Sequence, residues 1–164
     1  MANLLARFAG KVCEVLLPVK HDIFLGSERS SVAVCTLSSI DLLGEISRSK
    51  PLMKQIALAG RLFSENKGIE KLIRRVLEHR ELRYIVLCGS DTKAHLPGQS
   101  LLALVKNGID ANGRIVGAKG KDPVLEDVSR EEVEEFRRRI TIIDLIGSKD
   151  IGEISAKVAS LVRA

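Results

Sequence analysis

The 164-residue chain has three histidines, and they sit in different settings. His95 lies in Gly-Ser-Asp-Thr-Lys-Ala-His-Leu-Pro-Gly-Gln-Ser-Leu (residues 89–101), where Pro97 fixes the backbone beside it and Gly98 opens it. His79 closes a charged segment, Glu-His-Arg-Glu, where it is solvated or complements a helix C-terminus. His21 precedes Asp22 in a surface turn. Taken alone, a loop histidine such as His95 suits a solvated side chain better than a ligand. The residues around it narrow the chemistry. Cys13, Cys35 and Cys88 are far apart and form no Cys-x-x-Cys pair, which excludes a zinc knuckle or a dithiol redox site. Cys35 and Cys88 fall inside apolar runs and read as small buried hydrophobes. Structural zinc needs four N or S ligands, and no cluster supplies them. Ser90 and Ser100 lack a Gly-x-Ser-x-Gly elbow, and the chain has no Walker motif and no Gly-x-Gly-x-x-Gly. One histidine suffices when the cofactor brings its own equatorial ligands, as haem and corrins do. Ligation of a single macrocycle metal by His95 is the closest fit to the residues present.

Such a residue must be held by a scaffold, and the apolar patterning describes one. Residues 31–37 (Ser-Val-Ala-Val-Cys-Thr-Leu) form a short β-branched run suited to a strand buried on both faces. Residues 38–50 read as a polar connection, and Pro51 opens a short helix through Ala59. Asn66 caps the next helix, whose Ile69, Leu72, Ile73, Val76 and Leu77 share one face, with Glu70, Lys71, Arg74, Arg75 and Glu78 facing solvent. Residues 84–88 form a second buried strand. A loop through residue 98 then leads into a helix over 99–107, closed by Gly108. Residues 114–118 read as a third strand. Ser129 and Glu132 form a capping box for a helix through Arg139, and residues 140–146 are a fourth strand. The final helix, 149–163, buries Ile151, Ile154, Val158, Leu161 and Val162 and carries Glu153 and Lys157, so it is amphipathic. Strands alternating with helices imply right-handed crossovers and an α/β, three-layer, Rossmann-like fold with a mostly parallel sheet. The expectation is one domain over 1–164, with residues 1–28 adding a peripheral edge element. Ligands of such sheets bind at the carboxyl ends of strands, here the loops after Leu37, Cys88 and Gly117.

Composition excludes several classes of function. The chain is 45% hydrophobic and 29% charged, as an ordinary globular domain is. Its charge-free runs, near 30–40 and 94–105, fall short of the roughly 20 apolar residues of a membrane span. No signal peptide pattern opens the chain, so a cytoplasmic protein is expected. The net charge of +5 invites a nucleic-acid reading. With no Trp, one Tyr and four Phe there are few stacking platforms, and the basic residues alternate with acids, so no nucleic-acid partner is expected.

Several ordered segments carry a resemblance. Cys88-Gly, His95-Leu-Pro-Gly-Gln-Ser-Leu, Asn107-Gly-Ile-Asp, Gly113-Arg-Ile-Val-Gly-Ala-Lys-Gly and Pro123-Val-Leu-Glu follow one another at fixed spacing. Upstream stand Ala33-Val-Cys-Thr-Leu, Ile56-Ala-Leu-Ala-Gly and Ser64-Glu-Asn-Lys-Gly-Ile-Glu. Over roughly residues 30–147 the chain resembles the A-type subunit of tetrahydromethanopterin S-methyltransferase.

The resemblance implies a cobalamin-type corrinoid on a Rossmann-like domain, with His95 as the lower axial ligand of cobalt. It implies a methyl carrier between methyl-tetrahydromethanopterin and coenzyme M, working with methyltransferase partner subunits. Gly89, Ser90, Leu96, Pro97, Gly98, Gln99, Ser100, Ala118, Gly120 and Pro123 would then shape the corrin pocket; Lys119 and Lys121 suit solvated side chains better than contacts to its amide or phosphate groups. Asp91 or Ser90 would accept the second ring N–H of the histidine. Three departures stand out. The family's subunit usually ends in a transmembrane helix, whereas this chain ends in the amphipathic segment 149–164, as expected of a homologue without the anchor. The family usually has glycine where Ala94 stands. The corrinoid signature Asp-x-His-x-x-Gly is met only from His95 to Gly98, since Asp91 lies four residues upstream. The rival readings are a non-catalytic corrinoid storage module and an unrelated nucleotide-binding α/β domain.

Overall fold

Two apolar runs form the centre of the sheet because nothing in them tolerates solvent. The computed structural model describes residues 23–163; Cys13, His21 and most of the edge element expected before residue 28 lie outside them. Strand β2 (Val32–Cys35) is buried at every position, and β4 (Tyr84–Gly89) at every position but its first. They pair in parallel, with Val32 opposite Tyr84 and Cys35 opposite Leu87. On their flanks lie β3 (Leu58–Gly60), parallel to β2, and β5 (Thr141–Ile146), parallel to β4. β1 (Ile23–Leu25) closes one edge antiparallel to β3, giving the order β1-β3-β2-β4-β5.

The strand period of two sorts the core into two layers. Ala33, Cys35, Ile85 and Leu87 face a cluster with Ile69, Ile73, Leu101, Leu104, Val133 and Phe136. Those partners come from α3 (Lys67–Glu78), α4 (Pro97–Asn107) and α5 (Arg130–Arg139). Val32, Val34, Val86 and Cys88 face the opposite cluster, with Leu42, Leu43, Ile46, Ile154 and Val158. These belong to α1 (Ile40–Arg48) and α6 (Ile151–Val162), while Leu52 joins from the four-residue α2 (Lys50–Met53). The result is the three-layer, mostly parallel α/β sheet expected from the alternation of elements.

Local chemistry sets the helix ends. The Asn66 side chain accepts from the Lys67 N–H, and Ser129 and Glu132 complete the expected capping box. The last turn of α5 carries two arginines that finish other helices. Arg137 donates to the Val105 and Lys106 carbonyls at the end of α4, and Arg139 to those of Val76 and His79 at the end of α3.

Five sequence expectations are corrected. Residues 40–48 are helical where a polar connection was expected, because Leu42, Leu43 and Ile46 recur at helical spacing and bury together despite Gly44 and the flanking serines. The helix after Pro51 ends at Met53, not Ala59. Ile56 is fully buried, the Ala57 N–H bonds Val32 O, and Leu58–Gly60 pair with β2. Pairing against an existing strand overrides the helical preference of Ala and Leu. Residues 114–118 do not join the sheet. Only Ile115 is buried, Val116 is exposed, and Gly113 and Gly117 turn the chain on either side with φ of 78° and 83°, leaving isolated bridges to Ile109 and Val124. Finally, Glu70 is not on the solvent face. It is buried, bonds Lys67, and accepts the N–H groups of Glu126 and Asp127. In α6, Val162 is exposed where burial was expected. No described helix is long and apolar enough to cross a membrane.

Candidate functional site

The chain leaves β4 at Gly89 (φ 75°), where a Cβ would stand 2.4 Å from the Thr36 carbonyl oxygen. No side chain fits, so the turn out of the strand lies directly against the end of β2. Ser90 is consumed by that junction: its N–H bonds Ser39 Oγ, and its carbonyl accepts from both the N–H and Oγ of Ser38. Asp91 then reaches across the loop to accept the N–H groups of Gly98 (3.1 Å) and Gln99 (2.9 Å), in the first turn of α4. Pro97 opens that helix and Leu96 precedes it in the left-handed region (φ 44°, ψ 51°). His95 is thereby placed on a short bend clamped at both ends, its side chain about half exposed (52%).

The partner of the ring is Glu65, not Asp91 or Ser90. His95 Nδ1 lies 3.0 Å and 3.2 Å from the two carboxylate oxygens of Glu65, whose side chain is fully buried. Glu65 comes from the segment linking β3 to α3, and Oε1 also accepts the Asp122 N–H at 2.8 Å. Burial raises the Glu65 pKa, but hydrogen bonds from the backbone N–H groups of Asp122 and of Glu65 itself, and then the His95 ring, outweigh it and hold the carboxyl below the ordinary range. An ionised carboxylate on Nδ1 makes that nitrogen the donor and leaves Nε2 as the basic one. Nε2 has no hydrogen-bond partner among the described residues.

A third segment, 117–123, completes the site although it does not leave a sheet strand. The Gln99 carboxamide clamps it, donating to Gly117 O and accepting from Lys119 N. Gly120 then passes so close beneath the histidine that a Cβ there would stand 2.2 Å from His95 O and 2.9 Å from Glu65 Cγ. The parallel strands reverse direction of winding between β2 and β4, and the site lies at the carboxyl ends on either side of that point.

Of the other expected pocket residues, Gly89, Pro97, Gly98, Ser100, Gly120 and Pro123 are buried, Leu96, Gln99 and Ala118 are half-buried, and Lys119 and Lys121 are exposed. The glycine at 98 already answers contacts inside the protein, with Asp91, Leu37 and Ile146 each 3.0 Å from a would-be Cβ. Glu65 is the residue of the candidate site that the sequence alone does not single out. Its signal is an acid just beyond the carboxyl end of a strand, and that strand, β3, itself reads as helix from the sequence.

The donor set limits the chemistry. Among the described residues no group of three or more His, Cys, Asp or Glu could hold a metal ion. A phosphate ligand at the start of α4 would compete with Asp91, which already holds its first amides. What remains is one imidazole with an oriented ring, a basic Nε2 and a solvent-facing edge.

Known proteins resemble the chain over most of its length. The family model for the A-type subunit of tetrahydromethanopterin S-methyltransferase matches residues 12–164. The A-type subunit of a methyltransferase named Mtx in Methanosarcina acetivorans, a name given provisionally there, is 40% identical over 84% of this chain and 65% of its own length. The second of the A-type tetrahydromethanopterin S-methyltransferase subunits of Methanothermobacter thermautotrophicus is 37% identical over 86% of this chain and 74% of its own. The A-type subunit of the same enzyme in Methanocaldococcus jannaschii is 39% identical over 85% of this chain and 56% of its own. The chain thus spans somewhat over half to three quarters of the length of these relatives.

Proposed function

Since the chain belongs to the family of A-type subunits of tetrahydromethanopterin S-methyltransferase, we propose that it is the corrinoid-bearing methyl carrier of such a system, in which His95 Nε2 would hold the cobalt. The observation that carries the reading is the His95–Glu65 pair. A buried, ionised carboxylate fixes one ring nitrogen and presents the other, half exposed, as a single donor. A corrinoid would supply the cobalt for methyl carriage and brings four ring nitrogens of its own, so a single protein ligand is what it would ask of the chain.

The residues of this chain do the positioning. Asp91 and Pro97 hold the bend from which His95 projects. Glu65 sets the tautomer and turns Nε2 outward. Gln99 and Gly120 hold the 117–123 segment against both. A carrier whose reacting atom belongs to its cofactor asks the chain for positioning rather than for acid–base work on a substrate. The methyl donor would be a tetrahydromethanopterin derivative, and partner subunits would supply the donor and acceptor sites.

The test is reconstitution of the full chain with cobalamin under reducing conditions. In the cobalt(II) state, electron paramagnetic resonance reads a nitrogen bound to cobalt, and uniform ¹⁵N labelling of the protein changes the superhyperfine pattern if that nitrogen belongs to the protein. His95→Ala should lose this signature. A signature insensitive to protein labelling, or retained in His95→Ala, overturns the assignment.

A further inference from the structure

A cleft of about 600 Å³ opens between α3 and the β1–β3 edge of the sheet, and neither His95 nor Glu65 lines it. Its floor is apolar, formed by Leu58, Leu62 and the half-buried Leu72, and Ile23 and Phe63 at its mouth are exposed. Its rim is cationic: Arg61, Lys67, Lys71, Arg74 and Arg75 line it, against a single acid, Glu78. Lys67 is neutralised by Glu70, Glu126 and Asp127, and Arg61 stacks on Phe63 at 3.5 Å. The side chains of Lys71 and Arg75 are exposed and have no hydrogen bond or ion pair among the described residues. Exposed apolar surface rimmed by polar groups marks an interaction site, and unpaired charges of one sign choose the partner.

We propose that this cleft docks a segment of a partner protein that is apolar on one face and acidic on the other. The cations run along α3 from Lys67 to Arg75, roughly 12 Å at the helical rise, a stripe that suits an extended or helical segment better than a compact anion. The docked segment meets the same linker that carries the carboxylate beside His95: Phe63 and Ser64 line the cleft, Glu65 follows them, and Ser64 Oγ accepts the Gly68 N–H that starts α3. A partner seated here therefore bears directly on the segment that orients His95. The proposal needs no corrinoid, so it stands or falls separately from the reading above.

The probe is a fluorescein-labelled synthetic helix with leucines on one face and glutamates on the other, titrated with the full chain by fluorescence anisotropy. Two control helices replace the leucines by serine or the glutamates by lysine. The Leu/Glu helix should bind, more tightly than the Ser/Glu helix, while the Leu/Lys helix should not. The double variant Lys71→Glu, Arg75→Glu, whose side chains are exposed, should weaken binding by about tenfold or more, as two attractions become repulsions. Equal binding of the Ser/Glu helix shows charge attraction without a cleft and overturns the proposal. So does binding unchanged in the double variant while circular dichroism shows it folded. A cleft filled by the chain's own residues 1–22 leaves the probe unbound, and one filled by a second copy shows as dimerisation in sedimentation velocity that the double variant abolishes; either result overturns it.

Discussion

Replacing Gly120 by alanine tests whether the 117–123 segment is what holds the His95–Glu65 pair in place. The added Cβ would stand 2.2 Å from His95 O and 2.9 Å from Glu65 Cγ, where ordinary contact begins at 3.4 Å. The first of these neighbours is backbone, clamped by Asp91 and the start of α4, so it cannot swing aside. The segment must retreat by roughly 1 Å to restore contact distance. Overpacking of this kind costs about 2 kcal/mol. The retreat also draws the Asp122 N–H away from Glu65, at about 1 kcal/mol more. For a domain of this size the two together lower the melting temperature by about 6–12 °C. Gly44→Ala is the control. It lies inside α1, and its Cβ would meet only the far end of the Arg48 side chain at 3.3 Å, so alanine there stabilises by about 0.5–1 kcal/mol. One substitution type should thus move the melting temperature in opposite directions at two sites. Calorimetry reads both shifts, and amide hydrogen exchange reads the Asp122 N–H, which should lose protection only in Gly120→Ala. A Gly120→Ala protein that melts within about 2 °C of the parent, with Asp122 still protected, refutes the packing argument.

Three further outcomes follow from the same contacts. The Glu65 carboxyl sits below the ordinary carboxylate range when folded, so its contribution to stability is fully present above that range and is lost as pH falls through it and below. Urea midpoints measured from about pH 6 down to about pH 3 should therefore fall less steeply in Glu65→Gln than in the parent, and parallel curves would remove Glu65 from the account. Ser129→Ala breaks the capping box of α5 and should cost about 1 kcal/mol, or about 2–4 °C by calorimetry. Burial pushes the thiols of Cys35 and Cys88 up to about 12, so in a Cys13→Ser background neither should react with a disulfide reagent at neutral pH until denaturant is added; rapid labelling of the folded protein would contradict their burial.

How much of this was legible beforehand depended on whether burial was written in period or in partnership. Ile69, Ile73 and Val76 announce α3 by spacing alone, and Ser129 with Glu132 announces the start of α5. β2, β4 and β5 are apolar runs bounded by polar residues, so their strand character shows locally. β3 does not. Three residues, Leu-Ala-Gly, become a strand only because β2 offers an unpaired edge on one side and β1 on the other. Losing β3 hid Glu65, since an acid is a site residue only once the strand that delivers it is located. The strand expected at 114–118 failed in the opposite sense: its apolar letters suit a strand, but Gly113 and Gly117 carry positive φ and only Ile115 is buried. His95 itself was visible from its scarcity and its neighbours, whereas the carboxylate that orients it came from 30 residues upstream.

The arginines at the end of α5 give the site an unexpected mechanical character. Glu65 lies just before α3 and His95 just before α4, and Arg139 and Arg137 fasten the far ends of those two helices to a third. The two helices behave as a pair of struts bolted to a common plate, and the gap between carboxylate and imidazole is the opening of a caliper whose pivot lies at their far ends. Small rotations at the pivot are magnified at the jaws. Sequence changes around Arg137 and Arg139 would therefore reach the His95–Glu65 pair through the two helices, in addition to the 117–123 segment packed directly against it.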